Sequence, residues 1–222
     1  MIKNGQGGFD LESDKKRALA LTPVSRETEK RLLMFVELLL LWQEKINLVA
    51  ESTLPLIWTR HISDSLQLLA LAPEARVWVD LGSGAGFPGV VVACALAGTP
   101  GVVVHLIESN GKKAIFLREV VRAIGIPAQA HQERAEKFGE SCAESVQVVT
   151  ARALSPLKTL CDQVFPFIQR GALGLFPKGQ DVATELTEAA KYWSIQASFV
   201  TSVTSPAGSI VIVRGLQRLK KP

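Results

Sequence analysis

The amino-acid sequence predicts an α/β fold: a doubly wound, mostly parallel seven-stranded sheet with an antiparallel C-terminal hairpin and an N-terminal helical extension. Three observations carry that prediction. From Val77 onward, apolar β-branched runs alternate with helical stretches, the pattern of a parallel sheet covered on both faces. Between the first run and the first such stretch lies Asp80-Leu81-Gly82-Ser83-Gly84-Ala85-Gly86-Phe87-Pro88-Gly89, a glycine-rich strand-to-helix turn. Near the end, Ser205-Pro206-Ala207-Gly208 joins two β-like runs by a link too short for a parallel crossover, so those strands must pair antiparallel.

Taken in order, residues 1–20 begin with Gly5, Gly7 and Gly8 and a mixed charge cluster, and are expected to be a flexible N-terminus. No apolar h-region follows a basic start, so no secretory signal is read there. Residues 21–75 form the helical extension. Thr22 and Pro23 suit an N-cap and first helical position, and Leu32, Val36, Leu39, Leu40 and Ile46 recur at helical spacing. A second helix is expected over 54–71, with Ile57, Ile62, Leu66 and Leu69 on one stripe and Arg60, His61 and Asp64 on another. The spacing of Arg60 and Asp64 lets them pair. The apolar run 32–42 is too short, and with Glu37 too charged, to span a bilayer, so no membrane is involved.

Residues 76–222 form the main domain. Strands are expected at 77–80, 102–107, 128–131, 146–150, 173–176, 196–204 and 209–213, and helices near 88–97, 112–124, 133–142, 156–168 and 181–193. Gly125-Ile126-Pro127 is a helix stop. The chain has 222 residues, 47% apolar and 21% charged, with a net charge of +4. That is an ordinary soluble composition whose mild basic bias permits a nucleic-acid partner without proving one. Cys94, Cys142 and Cys161 lack any C-x-x-C spacing and read as reduced thiols of a cytoplasmic protein, Cys142 in a serine-rich surface turn.

Alternating glycines at 82, 84 and 86 remove side chains that would hold a ligand off the backbone, which points to a nucleotide-type cofactor. Gly84-x-Gly86-x-x-Gly89 also fits a dinucleotide fingerprint, so NAD stays open beside S-adenosylmethionine. The register favours the latter, because Asp80-Leu81-Gly82 intervenes and puts a carboxylate where a ligand ammonium would arrive. Glu108, at the tip of the second strand, can accept from both ribose hydroxyls of either cofactor. A parallel sheet closed by a hairpin resembles the seven-stranded, Rossmann-like class I methyltransferase fold more than an NAD domain.

Several motifs in order carry a closer resemblance. Trp58-Thr59-Arg60-His61-Ile62-Ser63-Asp64-Ser65-Leu66, the glycine loop, Glu108-Ser109-Asn110-Gly111-Lys112-Lys113, Arg134-Ala135-Glu136, Thr150-Ala151-Arg152-Ala153 and Pro177-Lys178-Gly179 together resemble the bacterial small-subunit rRNA guanine-N7 methyltransferases, also called the glucose-inhibited division protein B family. The resemblance implies S-adenosyl-L-methionine as cofactor and methylation of one guanine in 16S rRNA, or a small ribosomal subunit particle, near the decoding centre. It assigns Gly82 and Phe87 to the cofactor loop, Ala135 and Glu136 to the adenine end, and Arg152 to the fourth strand edge; Asp80, Gly84, Gly86, Glu108 and Ser109 complete the expected cofactor-binding set. Arg152 and Lys178 are positioning candidates. Taken alone, Glu136 reads as a helix-surface charge, Arg152 as an ion-pair partner, and Lys178 equally as a solvated loop lysine or an RNA contact.

The fourth strand is not followed by the Asp/Asn-Pro-Pro-aromatic segment that holds an exocyclic amine, and no cysteine stands as a covalent nucleophile. A ring nitrogen with its own lone pair needs neither. RNA would be held through phosphates by Lys112, Lys113, Arg118, Arg60 and His61, with a solvated face as the competing reading for Arg118 and Arg122. A monomer is expected. A non-catalytic RNA-binding or ribosome-assembly protein on the same fold remains the alternative from another class.

Overall fold

In the computed structural model, which describes residues 10–219, the first strand β1 (Val77–Leu81) lies at the middle of the sheet. It pairs in parallel with β2 (Val103–Ile107) on one side and, in sequence order, with β4 (Val148–Ala151) on the other. Outside β2 lies β3 (Ala128–His131), and outside β4 lies β5 (Leu173–Lys178), both parallel. The last two strands, β6 (Trp193–Thr201) and β7 (Ser209–Arg218), form the expected antiparallel hairpin, with β7 inserted against β5. The order is β3-β2-β1-β4-β5-β7-β6. The chain turns outward in opposite directions from β1, so the crevice beyond the carboxyl ends of β1, β2 and β4 is where such a sheet receives a ligand.

The period-two alternation of the strands splits the core into two faces. Trp78, Val104, Leu106, Val148, Leu175 and Ile212 point to the side covered by α2 (Arg26–Gln43), α4 (Gly89–Leu96) and α5 (Gly111–Ile124). Val79, Ile107, Val149, Phe176 and Val213 point to the side covered by α6 (Ala135–Ser141), α7 (Leu157–Ile168) and α8 (Val182–Ala190). Helix α5 shows the local logic. Asn110 caps it by accepting from Lys112 N and Lys113 N, Ala114, Phe116, Leu117 and Val120 are its buried face, and Gly125 ends it at φ +70°.

Differences from the expectations concentrate in the N-terminal extension. Residues 1–9 lie outside the described residues, but Leu11–Leu21 form a capped helix, α1, rather than a flexible segment. Asp10 caps it, and Asp14 and Ala18 are buried. Thr22 therefore ends α1, and α2 starts after Ser25, whose hydroxyl accepts from Thr28 N. The expected second helix is not uniform. It passes through a 3₁₀ segment (Glu51–Leu56), a π turn (Trp58–Ser63), a short α segment α3 (Asp64–Leu66) and another 3₁₀ segment (Gln67–Leu71). Trp193 opens β6 instead of closing α8, because its ring is buried on the α7 side.

Candidate active site

The glycine loop begins where β1 ends. Gly82, Gly84 and Gly86 all have positive φ (+65°, +53° and +92°), which side chains resist. Their surroundings differ. A Cβ on Gly84 would meet nothing nearer than Gly82 O at 3.6 Å and Glu108 Oε2 at 4.0 Å, so that side of the loop is open. A Cβ on Gly86 would sit 2.7 Å from Val90 Cγ2 and 3.2 Å from Phe35 Cζ, and one on Gly82 would strike Leu154. Only the middle glycine is bare toward open space; the other two are bare because the protein packs there.

The two strand-tip carboxylates also differ. Glu108 is held by Gly84 N (2.9 Å) and Asn110 N (2.7 Å), one bond to each oxygen, which leaves lone pairs on both. Asp80, only 1% exposed, is turned inward: its oxygens accept from Gly89 N (3.2 Å) and Thr150 Oγ1 (2.8 Å). It ties the start of α4 to β4 and does not stand at a ligand ammonium, as the sequence had suggested. Burial raises its pKa to about 6, against the lowering effect of the Thr150, Ser83 and Gly89 hydrogen bonds and of Arg152.

Beyond the loop, Phe87 is not an exposed stacking ring. At 3% exposure it packs on Phe35, carries the His61 imidazole stacked at 4.8 Å, and lies under the Arg152 guanidinium at 5.2 Å. Arg152 Nη2 lies 2.7 Å from His61 Nδ1. A guanidinium can only donate, so Nδ1 accepts and the ring proton sits on Nε2, which donates to Thr53 Oγ1 at 2.9 Å; Thr53 in turn donates to Ala50 O. Burial first, then Arg152 and Arg60, hold the imidazole pKa down at about 3. His61 is a neutral ring with both nitrogens occupied. Burial also lowers the Arg152 pKa, while Asp64 and Asp80 oppose that shift; a guanidinium keeps its charge. The pairing of Arg60 with Asp64 is not formed. Asp64 instead faces Arg152, with Oδ2 3.9 Å from Nη1.

What aims the π turn is a residue outside every motif. Asp14 of α1, fully buried, accepts from Trp58 N (2.8 Å), Thr59 N (3.2 Å) and the Thr59 hydroxyl. It caps the turn that carries Arg60 and His61. No local pattern marks it; the turn residues that donate to it lie more than forty residues away.

A cleft of about 970 Å³ opens over the ends of β4 and β5, lined by Arg60 and Asp64, by Arg152–Pro156 and Lys178, and by Ser202, Thr204 and Ser209 of the hairpin. Lys178 is neither solvated nor free for RNA. Its Nζ donates to Ser155 O (3.1 Å) and Glu185 Oε2 (2.7 Å), and that carboxylate also accepts from Leu157 N (2.7 Å). These bonds fix the loop that holds Ala153 at φ +53°, a strained conformation for alanine.

The remaining candidates fall around the other half of the crevice. Ser109 is exposed beside Glu108, Ala135 is buried as the first residue of α6, and Glu136 is exposed, accepting from Gln163 Nε2 at 3.0 Å. Lys112 and Arg118 are exposed on α5 and Lys113 is half-exposed, while Arg60 is exposed at the cleft rim. Trp58 and Trp193 are buried and offer no stacking surface. All three cysteines are buried and unpaired, Cys142 included, which was expected on a surface turn. Burial pushes Cys94 and Cys161 up to about 12, which disqualifies them as thiolate nucleophiles. No helix of the described residues is long and apolar enough to cross a membrane.

Comparison with known proteins agrees with this architecture. Among solved structures, the chain superimposes on cofactor-bound Rv0187 from MTB with a TM-score of 0.61 at 13% identity, covering 95% of this chain and 99% of the other. The fibrillarin/Nop5p complex gives a TM-score of 0.50 at 13% identity over 68% and 79%. At those identities the likeness shows the fold alone. Sequence relatives say more. A protein of Bradyrhizobium sp. (strain BTAi1) is 57% identical over 208 residues, 94% of each chain. One of Rhodopseudomonas palustris (strain HaA2) is 52% identical over 199 residues, 90% of this chain and 84% of that one. Both carry the name ribosomal RNA small subunit methyltransferase G. The family model described as rRNA small subunit methyltransferase G matches residues 28–213, and this chain belongs to that family.

Proposed function

We propose that this family member methylates N7 of one guanine of 16S rRNA, near the decoding centre, with S-adenosyl-L-methionine as donor, acting as a cytoplasmic monomer on the rRNA or on a small-subunit particle. The loop fits that cofactor. The space beside Gly84 is what a backbone-hugging ligand needs, and Glu108 is already oriented by two backbone N–H groups with lone pairs left for a ribose diol. Ser109, Ala135 and Glu136 then flank the adenosine. Gly82, Gly86, Phe87 and Asp80 shape the loop from behind, and Arg152 borders the cleft where the base enters. When bound, the cofactor supplies an electrophilic methyl carried on a sulfonium. Lys112, Lys113, Arg118 and Arg60 are the cations placed to meet phosphates, their affinity falling with salt.

The observation that carries the N7 reading is that three of the candidate bases around the cleft are already committed. His61 has both nitrogens in use, Asp80 is sealed behind the loop, and Glu185 is bound to Lys178 and Leu157 N. Of the remaining carboxylates, Asp64 stands beside the Arg152 guanidinium and Asp181 is exposed at the rim, so neither is set apart as a base. N7 of guanine has an in-plane lone pair and no proton to lose, so the protein needs to orient the base and exclude water.

Single-turnover methyl transfer to small-subunit particles, with mass analysis of the product nucleoside, tests this. The expected product is 7-methylguanosine, at a rate nearly flat from about pH 7 to 9. General-base catalysis would contribute about 10²- to 10⁴-fold and show as a titrating limb. A tenfold rise per pH unit, abolished by replacing one histidine or carboxylate, would show that a proton is removed and N7 is the wrong acceptor.

A further inference from the structure

The wall of the cleft contains a carboxylate oxygen that the protein leaves unused. Asp64 Oδ1 is saturated: it accepts from Gln67 Nε2 (2.8 Å), Thr204 Oγ1 (2.8 Å) and Ser202 Oγ (3.3 Å), which join α3 and the 3₁₀ segment after it to the β6–β7 turn. Oδ2 accepts no hydrogen bond from the described residues, and its charged neighbour, Arg152 Nη1, stands beyond hydrogen-bond reach at 3.9 Å. Arg152 is anchored through Nη2 to His61 and through one Nη1 hydrogen to Arg60 O (3.5 Å), which leaves the second Nη1 hydrogen beside Oδ2 as a fixed donor–acceptor pair on the cleft wall. A carboxylate pinned through one oxygen, with the other left open in a cleft, is built to receive donors.

Resting on the guanine reading above, we propose that Asp64 Oδ2 reads the Watson–Crick edge of the target base, accepting from N1–H and the N2 amine while Arg152 Nη1 donates to O6. The order of donor and acceptor along that edge matches guanine. Adenine would place its N6 amine against Arg152 and its N1 lone pair against the carboxylate, two mismatches at once. The contact also acts on rate. As N7 takes the methyl group, positive charge spreads over the purine and N1–H and N2–H become better donors. A carboxylate on them therefore binds the transition state more tightly than the ground state.

The test compares single-turnover methylation of small-subunit particles reconstituted with rRNA carrying guanosine or inosine at the target position; inosine lacks only the N2 amine. The parent protein is expected to prefer guanosine by about tenfold or more, the worth of one hydrogen bond to a charged group. In Asp64→Asn the remaining oxygen is held by Thr204 and Gln67, so the amide NH₂ faces the cleft. The guanosine rate is expected to fall about ten- to a hundredfold and the guanosine/inosine ratio to approach one. Thr204→Val loosens the anchor of Asp64 without removing Oδ2, and should change stability while leaving a guanosine preference. A parent without preference, or an Asp64→Asn protein that keeps the parent's ratio while still forming 7-methylguanosine, overturns this assignment alone. A parent that forms no 7-methylguanosine overturns the reading beneath it.

Discussion

Asp14→Ala is the substitution with the largest expected effect per atom removed, and it lies in a helix no motif includes. Three donors lose their acceptor: Trp58 N, Thr59 N and the Thr59 hydroxyl. Hydrogen bonds to a buried charged acceptor are worth about 1.5–3 kcal/mol each, but the freed donors relax toward water in part. A total of about 3–5 kcal/mol follows, in line with the cost of deleting one partner of a buried charged pair. The Arg17–Asp14 bridge adds little, since the Arg17 side chain is 65% exposed and such pairs contribute at most about 1 kcal/mol. For a chain of this length each kcal/mol corresponds to about 2–4 °C in Tm, so the melting temperature should fall by roughly 10 °C. Urea denaturation followed by tryptophan fluorescence measures this directly, because Trp58 is one of the donors. Asp14→Asn, which keeps one acceptor oxygen, should lose about half as much. A loss below about 1 kcal/mol for Asp14→Ala, the range of a surface pair, would refute the claim that α1 caps the π turn.

The glycine loop allows a separation of roles. Gly84→Val is strained by its φ of +53° but meets no neighbour, so it should lose S-adenosyl-L-methionine binding in equilibrium dialysis with a smaller loss of stability than Gly86→Val, whose φ is +92° and whose Cβ also meets Val90 and Phe35. Retained cofactor binding by folded Gly84→Val would move the site elsewhere. Asp80 gives a pH signature with a definite sign. Its folded pKa is raised from 3.8 to about 6, so the native state holds a proton that the unfolded state has released. The resulting stability is fully present below about pH 4 and is lost as pH rises through 6, by about 1.4 kcal/mol per unit within that window. Asp80→Asn lacks this dependence, so its stability relative to the parent should climb between pH 4 and 6 and level off above; a constant difference across that range would show that Asp80 is not held proton-rich.

The sheet was legible because its signals are local. β-branched runs, helix stops such as Gly125 and the four-residue link at 205–208 each specify structure within a few residues, and all seven strands appear close to where they were expected. The glycine loop was legible for the same reason, though its three glycines looked equivalent in sequence. What separates Gly84 from Gly86 is the presence of Val90 and Phe35 behind one of them, and Phe35 comes from a helix fifty residues earlier. Lys178 illustrates the converse. A loop lysine reads as solvated or RNA-bound until Glu185 and the Ser155 carbonyl are seen within reach. The capping of α1 by Asp10 was readable by position, but glycines at 5, 7 and 8 suggested disorder across the whole segment, and the burial of Asp14 depends on a contact with residues 58 and 59.

The same non-local bonds decide what the N-terminal extension is for. The family model begins at residue 28, after α1, yet α1 holds the π turn, and the π turn supplies the imidazole that orients Arg152 on the edge of β4. From Asp14 to Trp58 and Thr59, along the turn to His61, and across to Arg152, each step is a hydrogen bond or a single turn of backbone. The direction of donation along that path is forced at its end by the guanidinium, which has no acceptor to offer, and so fixes the histidine as neutral and fully bonded. A ring in that state is a strut. It can set where Arg152 points but has no lone pair left for a substrate proton. With Arg152 bordering the base as proposed, the extension would act on the chemistry through geometry, and displacing α1 should weaken catalysis and stability together.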